Sequence, residues 1–121
     1  MRFESRELKP FAEPITNDEL KEGSIYYFLH YLGDNMFVPK IGTVVFIGRN
    51  LEPDDAERVY FQDLESYQQG NRYELAPDFP GPQARFYVGS ERELNHVFDF
   101  EHALEELMRC ALGRKSMSDR L

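Results

Sequence analysis

The amino-acid sequence predicts an α+β fold, an antiparallel sheet of about four or five strands with one amphipathic helix packed on it near the C-terminus. Three observations carry this expectation. Between residues 24 and 98, short runs rich in Tyr, Phe, Val and Ile alternate with clusters of Gly, Pro, Asn and Asp, the pattern of strands separated by turns. After Asp99 the period changes: Phe100, Ala103, Leu104, Leu107, Met108, Ala111 and Leu112 recur every three or four residues, which is one face of a helix. The chain has 121 residues, 41% of them hydrophobic, enough for one core and one domain. The pattern leaves open whether the sheet curls into a barrel.

Residues 2–15 mix charge with Phe3, Leu8, Phe11 and Ile15, and Pro10 and Pro14 forbid a continuous helix there. An extended arm that docks by its aromatics is expected. Thr16 and Glu19 have capping-box spacing, so one short helical turn follows before Gly23. From Ser24 to Leu32, Ile25, Tyr26, Tyr27, Phe28, Leu29 and Tyr31 are apolar or aromatic on both parities, interrupted by His30, as in a central strand covered on both faces. Gly33, Asp34 and Asn35 form a turn cluster, and the run 36–48 returns as the second strand of a hairpin. Pro39 and Gly42 predict a bulge or bend within it.

Residues 50–58 hold Glu52, Pro53, Asp54, Asp55 and Glu57, a composition suited to an exposed acidic loop. Residues 59–61 form a short strand, and Asp63 caps a helical turn over 64–69 that stops at Gly70. Tyr73 and Leu75 are expected to pair briefly before a loop over 76–83 containing Pro77, Pro80 and Pro82. Residues 85–88 and 96–98 read as the last strands. Asp99 caps a helix over 100–112, and Gly113 is placed to end it. The domain is thus expected to span residues 1–113, with 114–121 as a flexible C-terminal tail.

The formal charge is −8, from 14 basic and 22 acidic residues. This argues against binding nucleic acid through a broad basic face or a membrane through a polybasic patch. No apolar run approaches the roughly 20 residues of a spanning helix, and the charged N-terminus lacks the apolar stretch of a secretory signal. A cytoplasmic location is expected. The lone Cys110 lies within the helical pattern, where a buried structural thiol is the ordinary case.

Motifs for catalysis are sparse. His30, His96 and His102 have no zinc-ligand spacing, no Cys pair accompanies them, and no nucleotide-binding Gly loop or nucleophile elbow is present. No metal and no cofactor is therefore expected. The catalytic candidates are His30 and His102, with Asp63 or Glu101 as the carboxylate. Capping is the ordinary role of Asp63, and a solvated first helical turn that of Glu101.

Acidic clusters are the stronger surface feature. Glu52, Asp54, Asp55 and Glu57 lie in one segment, and Glu91, Glu93, Asp99, Glu101, Glu105 and Glu106 in another. The first lacks the ligand order of an EF-hand. Such runs ordinarily keep a small protein soluble, and when they bind they favour a basic partner. Short aromatic strands also permit a homodimer by strand addition or through an aromatic patch.

The strings Val44-Val45-Phe46-Ile47-Gly48-Arg49-Asn50-Leu51, Val59-Tyr60-Phe61-Gln62-Asp63-Leu64-Glu65-Ser66-Tyr67 and His96-Val97-Phe98-Asp99-Phe100-Glu101-His102-Ala103-Leu104-Glu105-Glu106-Leu107 resemble those of small uncharacterised bacterial proteins. The resemblance implies no activity, cofactor or site residue. On the residues alone, the leading expectation is a non-enzymatic interaction module with an acidic surface. The alternative is an enzyme or small-ligand binder with a pocket between sheet and helix, using His30 or His102 with a carboxylate and Tyr26, Tyr60 or Tyr87.

Overall fold

The computed structural model describes residues 12–31, 38–73 and 85–119. The expected turn at Gly33 to Asn35, the arm before residue 12, Leu75 and the proline-rich loop over 76–83 lie outside the described residues. A 3-10 turn at Asn17–Glu19 leads into strands β1 (Ile25–Tyr31), β2 (Pro39–Arg49) and β3 (Arg58–Asp63). Helix α1 (Leu64–Gln68), strands β4 (Phe86–Ser90) and β5 (Val97–Phe98), and helix α2 (Phe100–Asp119) follow. The five strands form one antiparallel sheet in the order β4-β3-β2-β1-β5. The predicted α+β fold is therefore correct, and the sheet does not close into a barrel: β4 and β5 are its two edges.

Local signals explain most boundaries. The Glu19 carboxylate accepts from the Thr16 backbone N–H at 3.3 Å and from its hydroxyl at 2.6 Å. Asp63 caps α1 by accepting from the Ser66 N–H at 3.0 Å, and also accepts from the Arg85 N–H at 2.8 Å, so one carboxylate ties α1 to the start of β4. Gly70, at φ +95°, ends the turn.

The bulge expected at Pro39 or Gly42 is absent from the β1–β2 ladder, which runs unbroken from Ile25↔Val45 to Tyr31↔Pro39. Pro39 opens the strand, where a missing N–H is tolerated, and Gly42 sits in register opposite Phe28. The irregularity falls instead between Phe46 and Gly48, on the β3 side. Gly48 holds φ +149° there, and an added Cβ would lie 3.0 Å from Leu51 Cδ2.

Strand β1 is covered on both faces, as its two-parity pattern predicts. On one face Tyr26 and Phe28 join Ile15, Leu20, Val44, Phe46, Val59, Phe61, Leu94 and Val97. On the other, Leu29 packs with Ala12, Phe98 and Ala103, flanked by Tyr27 and Leu107. Phe28 of β1 also reaches Tyr87 of β4, with ring centroids 5.3 Å apart, though β2 and β3 intervene. Three strand spacings amount to roughly 14 Å, so the first face is concave.

Helix α2 departs from expectation twice. It continues past Gly113 to Asp119. Gly113 is not among the glycines of positive φ, so it forms no left-handed cap, and one interior Gly weakens a helix by about 1 kcal/mol relative to Ala without stopping it. The helix is also rotated about its axis. Ala103, Glu106 and Cys110 are buried, while Phe100, Leu104, Met108 and Leu112 are 67%, 57%, 49% and 52% exposed. The floor beneath α2 is narrow, because β5 has two residues and forms the sheet edge. The apolar stripe is wider than that floor, and half of it overhangs.

Candidate functional site

Two surfaces and one buried cluster concentrate the chemistry of the described residues. The buried cluster joins α2 to β1. Glu106, 3% exposed, accepts from the Tyr31 hydroxyl and from both Arg109 Nε, at 2.9 Å, and Arg109 Nη2. Cys110 Sγ lies 3.9 Å from the same oxygen. Burial pushes the Glu106 carboxyl up, but the Arg109 and Tyr31 hydrogen bonds outweigh it and hold the group below its usual range. Burial, with the adjoining carboxylate, pushes the Tyr31 phenol up to about 12, and burial likewise raises the Cys110 thiol. An ionised, satisfied carboxylate beside a neutral thiol and phenol is a structural latch, and the thiol is held away from its nucleophilic form. Sequence reading placed Glu106 in a solvated acidic segment. Its i, i+3 spacing from Arg109 was the available signal, since on a helix it makes the two neighbours.

The first surface is the outward side of α2. Phe100, Leu104, Met108 and Leu112 follow one another at four-residue intervals, so they form one line along the helix. Phe100 also meets Tyr27 edge-on, with centroids 5.9 Å apart. Tyr27 lies on the same sheet face as Ile25 and Leu29, and Ile41 stands opposite Leu29. Ile25 and Ile41 are themselves exposed, so the apolar surface passes from helix to sheet.

The second surface is a cleft of about 250 Å³ on the concave face, on the other side of the sheet from α2. Phe28, Phe61 and Tyr87 supply aromatic walls, with Phe28 edge-on to both of the others. His30 and His96 stand at one end with ring centroids 5.6 Å apart. Ser90 and Glu93 also line the cleft. Ser90 pairs with Arg58 at the start of β3, whereas His30 lies near the end of β1, so these polar groups belong to opposite ends.

The predicted site residues are dispersed. His30 has Phe28 and His96 as ring neighbours, while Asp63 is committed to capping α1. The second histidine at this cleft, His96, was missed because only the β1–β5 pairing brings it close. His102 does meet a carboxylate, Asp99, with Nδ1 and Oδ1 2.8 Å apart. The same Asp99 oxygen accepts the His102 N–H at 2.8 Å, which makes the pair part of the helix cap. Burial lowers the His102 imidazole, but the Asp99 bond and the nearby Glu105 and Glu101 charges outweigh it, so its affinity for a proton is raised. Glu101 is exposed in the first turn.

The acidic loop is partly committed to its own fold. Asp55 accepts from the buried Tyr60 hydroxyl and from the Glu52 N–H at 3.1 Å. Glu52 accepts from Tyr73, and Glu57, at φ 54°, pairs with Arg92 at 3.4 Å. Burial and the Asp55 bond raise the Tyr60 phenol, and the Glu52 bond raises that of Tyr73. Asp54 is exposed.

Among the described residues, no group of three or more His, Cys, Asp or Glu side chains is placed to hold a metal ion, and no helix is long and apolar enough to cross a membrane. Comparison with known proteins adds no relative to this picture: no family model, no curated protein and no solved structure matches the chain.

Proposed function

We propose that the chain is a small non-enzymatic protein-interaction module of the cytoplasm, and that its docking face is the outward side of α2. The observation that supports this is the line of four large apolar side chains, each about half exposed or more, on a helix whose other side is already packed. Monomeric proteins rarely leave such a continuous apolar surface without use.

The occupant proposed is an amphipathic helix with Lys or Arg beside its apolar face. Glu101 and Glu105 flank the exposed stripe, and the whole chain carries −8, so basic flanks complement the surface and speed encounter. A synthetic Leu/Lys amphipathic peptide is the probe, and a Leu/Glu peptide of the same pattern is the control. Fluorescence anisotropy is expected to show binding of the basic peptide that weakens with salt. Combining Leu104→Ser with Met108→Ser leaves the charge unchanged and should reduce affinity about tenfold or more. Equal binding by the double variant refutes the docking face. Sedimentation of the free protein decides the competing occupant, a second copy, for which Arg114 and Lys115 would supply the basic residues.

A further inference from the structure

The geometry points to a binding site for a small aromatic monocarboxylate in the concave cleft, its ring against Phe28 and Tyr87 and its carboxylate toward His30, His96 and Lys40. The site is independent of the α2 docking face, because it opens on the other side of the sheet.

The cleft is lined by rings but not filled by them. Tyr87 is 37% exposed although it packs edge-on against Phe28. Beside it on the same face of β4, a Cβ added to Gly89 would meet nothing within 4 Å. A planar apolar group entering there covers aromatic surface and can continue the edge-to-face pattern of Phe61, Phe28 and Tyr87. A volume of about 250 Å³ lies below the roughly 300–1,000 Å³ of drug-sized sites, which restricts the occupant to a small molecule.

The polar groups define the charge of the ligand. Lys40 stands directly across from His30 in the β1–β2 register, so both side chains leave the same face. Each imidazole has an N–H donor in either protonation state, and the ammonium adds three more. This end of the cleft offers donors to a carboxylate. At the other end Glu93 disfavours a second negative group. One carboxylate is matched and two are not.

The test is a titration of the full chain with benzoate, read by amide chemical shifts, with benzyl alcohol and terephthalate in parallel. Saturable shifts at His30, Tyr87 and His96 are expected for benzoate at millimolar concentration, and weaker binding for both comparison compounds. Gly89→Val places a β-branched side chain in the empty space and should abolish these shifts while the thermal midpoint is kept. The double variant His30→Gln, His96→Gln, at exposed positions, should weaken benzoate about tenfold and leave benzyl alcohol unchanged. If Gly89→Val unfolds the domain, the histidine variant alone decides. The proposal is overturned by the absence of saturable shifts, by benzyl alcohol binding as tightly as benzoate, or by undiminished benzoate binding in either folded variant.

Discussion

Phe28 on β1 and Tyr87 on β4 meet edge to face, their planes at 85°, across a sheet in which two other strands separate them. The contact measures how strongly the sheet coils. It also explains why a five-stranded open sheet presents one concave, aromatic face and leaves the opposite face to the helices. Coiling follows from the right-handed twist of the strands, and the irregularity between Phe46 and Gly48 adds twist near the end of the longest strand.

That irregularity makes the two glycines of β2 unequal. Gly48→Ala is expected to destabilise the domain by about 1–3 kcal/mol, because φ +149° and the Leu51 methyl both oppose a Cβ. Gly42→Ala, whose nearest neighbour would be Phe28 Cβ at 3.8 Å, should change stability by no more than about 0.5 kcal/mol. Urea denaturation of the two variants checks the contrast, and equal losses would remove the bulge from the account.

Helix orientation gives a second contrast. Leu107 packs beside Leu29, Phe98 and Ala103, so Leu107→Asp should unfold the domain or nearly do so, as expected for a charge forced into a core. Leu104→Asp, at a side chain 57% exposed, should remain folded, with a loss under about 1 kcal/mol. Circular dichroism on heating distinguishes them. A folded Leu107→Asp would mean that the helix is held chiefly by its polar contacts.

Those contacts centre on Glu106. Glu106→Ala leaves Tyr31 and Arg109 without their shared acceptor, and a loss of about 3 kcal/mol is expected. Tyr31→Phe removes one donor and should cost about 1 kcal/mol. Because the two residues are in contact, the double variant should lose less than the sum, and a double-mutant cycle reads the difference.

The same carboxylate sets an acid limit. Its folded pKa is lowered, so its contribution is complete above the unfolded value, about 4.3, and is lost as pH falls through the lower folded value. The unfolding midpoint of the wild type should therefore drop below about pH 4.3 more steeply than that of Glu106→Gln. His102 acts in the other direction. Its folded pKa is raised, so its contribution is complete below about pH 6.5 and lost as pH rises through the folded value. His102→Gln should flatten the profile on the alkaline side of that point.

Features set by short spacings were legible in the sequence. The β1–β2 pairing, the Asp63 and Asp99 caps, the two-sided burial of β1 and the existence of α2 all follow from neighbours within a few residues. Which side of α2 faces the sheet did not, because the apolar stripe is wider than the two-residue β5 beneath it. Periodicity assigns a stripe to the core without saying how much of it the floor can cover. Glu106 escaped for a related reason: composition marks a Glu as solvated, and its burial depends on Tyr31, 75 positions away. The cleft was legible in parts. His30 stood out as the one polar break in a central strand, but His96 reaches it only through strand pairing, and the empty space at Gly89 has no sequence signature at all.

The two hydrophobic clusters share no buried residue, and β1 and β5 each contribute side chains to both. Detaching α2 would expose Leu29 and Phe98 yet leave Phe46, Val59, Phe61 and Tyr26 covered. The molecule accordingly has a natural seam, with a hairpin-centred unit that stays closed while the C-terminal helix opens and recloses as a separate, weaker unit. Amide protons of α2 should exchange with solvent well before those of β2 and β3. A partner that captured the helix in its open form would then meet Leu107 and Ala103 as well as the stripe already on the surface.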